Sequence, residues 1–207
     1  MSNNKIVLYT NPMSRGRITR WMLEEIGQPY DTVLLDYGTT MKAPEYLAIN
    51  PMGKVPAIKH GDVVVTEGAA ICAYLADAFP EAALAPAPNA RADYYRWLFF
   101  AAGPVEQAIT NKSLGFEIPE GKSIMAGYGN YAAAIDVLEF AIRGKTYVAG
   151  DQFSAADVFL GSQIGFGLMF GGVEKRPEFE RYWAGLAMRP AKIRADAIDD
   201  ALMPARV

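Results

Sequence analysis

The stretch Tyr9–Gly27, YTNPMSRGRITRWMLEEIG, combines the end of a short apolar strand, a loop that contains proline, and an amphipathic helix. The strand begins a few residues earlier, in KIVLYT. The segment RITRWMLEEI has apolar residues at helical spacing, and Gly27 predicts that the helix ends there. The apolar residues that we expect on one helical face are Ile18, Trp21, Met22 and Ile26.

The residues that follow this helix predict a small mixed sheet. YDTVLL is a second strand, and a strand–helix–strand unit favours parallel pairing with a right-handed crossover. PEYLAIN is a short helix or turn, and VPAIKHGDVVVTE contains two strands joined by a hairpin at 60–62. GAAICAYLADAF predicts a helix that Pro80 ends. The order is therefore β-α-β-(α)-β-β-α.

The remainder of the chain predicts helices only. ARADYYRWLFFAAGPVEQAI is one long helix in which Gly103 and Pro104 predict a bend. MAGYGNYAAAIDVLEFAI and PEFERYWAGLAM are further helices, and DQFSAADVFLGSQIGFGLMF carries a capping box of Ser154 and Asp157. We expect three consecutive regions: an α/β domain over residues 1–80, a linker over 81–89 and an all-helical domain over 90–207.

Composition and charge exclude several classes of protein. The chain has 207 residues, 51% of them hydrophobic, which is enough for a sizeable core. The net charge of −3 and the scattered basic residues argue against nucleic acid or an anionic membrane as a partner. We find no run of about 18 apolar residues and no signal peptide, so we expect a cytoplasmic protein. The single cysteine, Cys72, excludes an internal disulfide, and the single histidine, His60, argues against a Ser-His-Asp triad and a His-rich zinc site.

Several segments together resemble the cytosolic-type glutathione S-transferases, in particular those of bacteria. In chain order they are NPMSRGRITRWMLEEIG, KAPEYLAINPMGKVPAI, TEGAAICAYLAD, RWLFF and FSAADV, and they spread over nearly the full length. The resemblance implies a thioredoxin-like N-terminal domain that binds glutathione and an all-helical domain with an open hydrophobic acceptor pocket. It also implies a homodimer, with glutathione as co-substrate and no metal.

The resemblance implies which residues hold glutathione. Val55 and Pro56 match the family's cis-proline segment, whose backbone pairs with the cysteinyl part of glutathione. Glu67 and Gly68 open a helix, where backbone N–H groups and the positive end of the helix dipole favour a carboxylate. They would hold the γ-glutamyl end, although Gly68 lacks the hydroxyl that the family usually has, and Glu67 alternatively only complements the helix start.

Two lysines and the loop after the first strand complete this implied site. Lys42 and Lys54 match positions that face the glycyl carboxylate, or they are ordinary surface residues. In thioredoxin-like proteins the loop is C-P-x-C, and here it has no cysteine. Ser14 is the first choice to donate a hydrogen bond to the glutathione thiolate, or it only caps the helix. Arg15, by its charge, and Asn11, by its amide, are the alternatives.

On the long helix, four residues at helical spacing are candidates for the acceptor pocket: Phe100, Gly103, Pro104 and Gln107. An apolar stripe of this kind is also typical of a core-facing surface. Cys72 is best explained as a small buried apolar residue. We expect conjugation of glutathione to hydrophobic electrophiles, as in detoxification. The alternatives are glutathione-dependent reduction of peroxides or disulfides, and non-catalytic glutathione binding for regulation.

Overall fold

The computed structural model describes residues 5–203, and they form two compact units. The first unit comprises residues 5–83 together with 189–203, and the second comprises residues 84–188. None of the helices in the described part of the chain combines the length and apolar character that a membrane-spanning segment needs.

The first unit contains a four-stranded sheet of order β2-β1-β3-β4. Its strands are β1 (Ile6–Thr10), β2 (Tyr30–Leu34), β3 (Ala57–His60) and β4 (Val63–Thr66). β1 pairs parallel with β2 and antiparallel with β3, and β4 completes the predicted hairpin with β3. The helices between the strands are α1 (Gly16–Ile26), α2 (Pro44–Leu47) and α3 (Gly68–Ala78). The predicted order β-α-β-(α)-β-β-α is confirmed, and the fold is thioredoxin-like.

Helix α1 packs its predicted apolar face into the core of this unit. Ile18, Trp21, Met22 and Ile26 are all buried, as are Ile6 and Leu8 of β1. Gly27 ends the helix at φ 72°, where its N–H donates to the carbonyl of Leu23. This left-handed conformation favours glycine, so the sequence signal for the helix end is confirmed.

The second unit is helical. Its α-helices are α4 (Ala92–Phe100), α5 (Glu106–Ser113), α6 (Tyr131–Ile142), α7 (Ala155–Phe170) and α8 (Pro177–Ala187). A π-helical turn, Ala101–Val105, joins α4 to α5 and contains Pro104. The wider turn accommodates a residue that cannot donate a backbone hydrogen bond, at the point where the sequence predicted a bend.

The capping box predicted at the start of α7 is present. The backbone N–H and the hydroxyl of Ser154 both donate to Oδ2 of Asp157, each at 2.9 Å. The other carboxylate oxygen accepts from the Val148 N–H at 2.7 Å and from the Tyr182 hydroxyl at 2.6 Å. Burial raises the pKa of Asp157, and these hydrogen bonds oppose that shift.

The expected all-helical domain over residues 90–207 differs from the structure at its C-terminal end. A further helix, α9 (Pro190–Ala201), packs against α1 and belongs to the first unit. Its Asp199 accepts a hydrogen bond from Nε of Arg20 at 2.8 Å, and both side chains are buried. The expected linker lies where the chain passes between the units, at 83–84, and is flanked by 3₁₀ turns at Pro80–Ala82 and Pro88–Ala90.

Candidate active site

The loop between β1 and α1 is fixed by Asn11. Its side-chain Nδ2 donates to the carbonyl of Leu35 at 2.9 Å, and its Oδ1 accepts from the N–H of Met13 at 2.9 Å. The residue is only 6% exposed. The amide that the sequence offered as a possible thiolate donor therefore ties the loop to the end of β2.

Ser14 is half-buried, and its hydroxyl both accepts and donates a hydrogen bond. Oγ accepts from the N–H of Gly16 at 2.9 Å and donates to the carbonyl of Asn11 at 2.6 Å. That carbonyl also accepts the backbone N–H of Ser14 at 3.0 Å. The hydroxyl hydrogen can therefore rotate to another acceptor without leaving the carbonyl unpaired. Arg15 occupies the N-cap position of α1, and Ser14, one residue earlier, accepts from the Gly16 N–H at the start of the helix.

Arg15 and Gly16 lie where the loop enters α1. Arg15 is exposed and directly precedes the helix. Gly16 lies close against β1, because a Cβ at this position would come within 1.9 Å of Oγ1 of Thr10. Only glycine permits this approach, so the first turn of the helix lies directly over the end of the strand.

The segment before β3 contains a cis peptide bond between Val55 and Pro56. Pro56 is buried and Val55 is half-buried. The pairing of β3 with both of its neighbours begins at Ala57, so Val55 lies outside both ladders. The backbone of Val55 is therefore at the end of the sheet rather than within it.

The two candidate lysines differ in their surroundings. Nζ of Lys42 donates to the carbonyls of Gly53 at 2.8 Å and Met52 at 3.3 Å, which leaves one of its three hydrogens for another partner. Lys54 has an exposed side chain. Its carbonyl accepts from the Tyr46 hydroxyl at 2.5 Å, which holds the backbone that carries it.

Glu67 and Gly68 stand at the start of α3, as the sequence predicted. Glu67 is exposed and has φ 67° and ψ 118°, a backbone conformation that is unfavourable for a residue with a side chain. Strain of this kind persists where the surrounding structure imposes it, and it is frequent at binding sites. The first N–H groups of this 11-residue helix lack helical acceptors and suit a carboxylate.

The four acceptor-pocket candidates lie along one side of the segment that joins α4 to α5. Gly103 and Gln107 are exposed, and Phe100 and Pro104 are half-buried. The buried residues of the same segment are Trp97, Leu98, Ala101, Val105 and Ala108. Gly103 and Gln107 therefore lie outside the core-facing side, whereas Phe100 also packs edge-to-face against the buried Trp97, with ring centroids 5.8 Å apart.

Other chemically reactive groups are few in the described chain. Cys72 is fully buried, and burial raises the pKa of its thiol to about 12, in agreement with a packing role. His60 contacts the Tyr74 hydroxyl through Nδ1 at 3.0 Å. Among residues 5–203, no three or more His, Cys, Asp and Glu side chains form a group that could hold a metal ion.

Sequence reasoning missed Arg17. Its Nε donates to the carbonyl of Pro12 at 2.6 Å, and its Nη2 contacts Oδ1 of Asp200 at 2.5 Å. Helical spacing places Arg17 at the border of the apolar face of α1, where an arginine is typical of a solvated surface. Its contact with α9 could not be seen without the fold.

The geometry of the first unit agrees with comparisons to known proteins. Residues 13–78 match the family model described as the N-terminal domain of glutathione S-transferase. Glutathione S-transferase 3 of Zea mays is 30% identical over 200 residues, which cover 89% of this chain and 90% of the maize protein. The chain therefore belongs to the glutathione S-transferase family.

Two solved structures extend this relationship. The glutathione transferase of Methylococcus capsulatus is 27% identical, with a TM-score of 0.79 and coverage of 95% of this chain and 99% of that one. A glutathione transferase family member of Pseudomonas fluorescens, solved with two glutathione molecules bound, is 31% identical, with a TM-score of 0.72 and coverage of 93% and 92%. Both similarities span the two units of the chain.

Proposed function

We propose that this family member conjugates glutathione to hydrophobic electrophiles. The observation that carries the proposal is the half-buried Ser14 hydroxyl just before α1, which would turn its hydrogen from the Asn11 carbonyl towards a thiolate. In this reaction the nucleophile is the thiolate of glutathione rather than a protein side chain, so a loop without cysteine is compatible with it.

Glutathione would be held by its two ends and by its middle. The first N–H groups of α3, beginning at Gly68, would bind the γ-glutamyl carboxylate, and exposed Glu67 would bind the amine. The backbone of Val55, before cis Pro56, would pair with the cysteinyl residue. The remaining hydrogen of Lys42 and the ammonium of Lys54 would meet the glycyl carboxylate; a charged partner strengthens such hydrogen bonds.

Activation would occur at the thiol. A free thiol has a pKa of about 8.5, so it is mostly protonated at neutral pH. A hydroxyl donor contributes about 1.5–3 kcal/mol to a charged partner, and a helix N-terminus adds about 0.3–1 kcal/mol. The hydroxyl gives up its neutral hydrogen bond to the Asn11 carbonyl, about 1 kcal/mol, so the net contribution is about 0.8–3 kcal/mol. This lowers the thiol pKa by about one to two units, since each unit corresponds to about 1.4 kcal/mol.

The acceptor would bind against the open side formed by Phe100, Gly103, Pro104 and Gln107. Phe100 offers an aromatic surface, and the exposed Gly103 leaves space beside it. Bringing the thiolate and an apolar electrophile together makes their reaction effectively unimolecular.

We further propose that the protein acts as a cytoplasmic homodimer in detoxification, in keeping with the family resemblance. A sedimentation mass near the 22.6 kDa of one chain would contradict the dimer.

A second candidate function is glutathione-dependent reduction of disulfides. It is favoured by the related Pseudomonas fluorescens structure, which holds two glutathione molecules. One glutathione thiolate would attack the substrate disulfide and release the first thiol. A second glutathione would then attack the mixed disulfide, which yields oxidised glutathione and the second thiol.

One experiment separates these functions from glutathione binding without catalysis. The purified protein is assayed in parallel with aryl halides, hydroperoxides and small disulfides, and its affinity for glutathione is measured by calorimetry. We expect conjugation of aryl halides to exceed the other two activities. Tight glutathione binding with no turnover of any substrate would contradict both catalytic functions and indicate a regulatory binding protein.

A further inference from the structure

One guanidinium group connects the active-site loop with the C-terminal helix. Nε of Arg17 donates to the carbonyl of Pro12, two residues before Ser14, at 2.6 Å. Nη2 of the same side chain lies 2.5 Å from Oδ1 of Asp200, and Nη1 lies 3.8 Å from Oδ1 of Asp196. The Arg17 side chain is only 20% exposed. It therefore bridges the loop and α9.

Helix α9 is itself attached to α1, so the backbone that carries its carboxylates is held beside α1. Arg20 and Asp199 form an ion pair at 2.8 Å in which the side chains are 1% and 0% exposed. At the other end of α9, Arg189 donates to both oxygens of Glu25 at 2.7 and 2.8 Å. Asp200 follows directly after the buried Asp199, so this attachment positions its backbone, while its side chain is 67% exposed and contacts Arg17.

We infer that Arg17 is a positioning residue for thiol activation, and that Asp200 of α9 holds it in the orientation that fixes the loop. The inference rests on the proposed function. An O–H donor is effective only over about 2.5–3.0 Å and near linearity, so small displacements of the loop weaken it steeply. A charge-assisted hydrogen bond to the Pro12 carbonyl restrains the peptide group between Pro12 and Met13, just before Ser14.

The neighbouring charges indicate that Arg17 acts by position rather than by its own field. Asp200 offsets its positive charge at close range, and Asp196, which also pairs with Lys192, lies at 3.8 Å. Its guanidinium also donates in two directions at once, which a lysine ammonium on a flexible stem does not reproduce with the same geometry. The group that meets the thiolate in this scheme remains Ser14.

The test compares two variants that each remove one arginine from the contact between α1 and α9. Arg17→Met removes the bridge to the loop. Arg194→Met is the matched control, because Arg194 binds Glu24 at 3.1 Å and has no contact with the loop. We expect Arg17→Met to raise the pKa of the bound glutathione thiol by about one unit. The thiolate fraction below that pKa then falls about tenfold. Arg194→Met should leave both unchanged.

A third variant, Asp200→Ala, separates position from charge. If Arg17 acts by position, losing its anchor loosens the loop and raises the bound thiol pKa. If Arg17 acts through its charge, losing the neighbouring carboxylate lowers that pKa, and this result would overturn the inference. Equal pKa values in Arg17→Met and the parent protein would overturn it as well.

Amide hydrogen exchange of the glutathione-free protein keeps this test independent of the proposed function. We expect faster exchange over residues 13–16 in Arg17→Met than in Arg194→Met. If the parent protein conjugates no electrophile, the proposed function fails. The amide exchange rates then test by themselves whether Arg17 holds the loop. Unchanged exchange in Arg17→Met would overturn the inference even if conjugation is observed.

Discussion

Ser14→Ala is expected to raise the pKa of bound glutathione by about one unit. In the structure the hydroxyl donates to the Asn11 carbonyl at 2.6 Å, so turning towards a thiolate gives up one neutral hydrogen bond. That bond contributes about 1 kcal/mol, and a bond to a charged partner contributes about 1.5–3 kcal/mol. The net preference for the thiolate is therefore about 0.5–2 kcal/mol, which corresponds to about one pKa unit.

The assay is the ultraviolet absorbance of the bound thiolate as a function of pH, together with kcat and KM. Turnover at neutral pH should fall about tenfold and recover at high pH, because the thiol then ionises without help. Affinity for glutathione should change little, since other residues hold the two ends of the tripeptide. The variant should also lose about 1 kcal/mol of stability, because Oγ no longer accepts from the N–H of Gly16.

An unchanged thiol pKa in Ser14→Ala would refute this reasoning. Arg15→Ala is the first comparison, because a thiolate stabilised by charge would lose that effect in this variant alone. Asn11→Ala is the second, and its main effect should be on stability, since the side chain holds the loop to Leu35. If Arg15→Ala shifts the pKa and Ser14→Ala does not, the charged residue activates the thiol and Ser14 only caps the helix.

Three further predictions concern buried groups. Arg20→Met should destabilise the protein by about 3–5 kcal/mol in urea unfolding, because it leaves the carboxylate of Asp199 buried and unpaired. Asp157→Ala should cost more stability than Ser154→Ala, whose loss is about 1 kcal/mol, because the carboxylate has three further donors besides the Ser154 hydroxyl. Cys72, with its thiol pKa raised to about 12, should react with a thiol reagent at pH 7 only after unfolding; rapid labelling of the native protein would contradict its burial.

The elements of the first unit could be predicted because their signals are local. The short apolar run of β1, the spacing in α1 and the glycine after it each depend on neighbouring residues in the chain. The same holds for Ser154 and Asp157, whose capping box lies within four residues. Such patterns determine where an element starts and ends, independently of what it packs against.

The position of α9 could not be predicted because its signal is not local. Its sequence, PAKIRADAIDDA, has an amphipathic pattern with abundant charge, which is typical of a solvated surface helix. The buried Asp199 pairs with Arg20, 179 residues away, whereas the neighbouring Asp200 pairs with Arg17 and stays exposed. Charged residues are rarely buried without a partner, so the sequence alone gives no reason to place one of these two aspartates in the interior.

The candidate site shows the same division between local and distant information. Ser14 follows from its place just before α1, but the occupation of its hydroxyl by the Asn11 carbonyl depends on the path of the loop. A neutral donor that must exchange one acceptor for another contributes only the difference between two hydrogen bonds. Small displacements can cancel a difference of that size, so activation by Ser14 requires a rigid loop. The buried Asn11 ties the loop to the Leu35 carbonyl after β2, and the guanidinium of Arg17 connects the loop to Asp200 of α9. In the proposed mechanism, a loop without its own nucleophile would activate a substrate thiol through its position, and that position depends on residues far apart in the sequence.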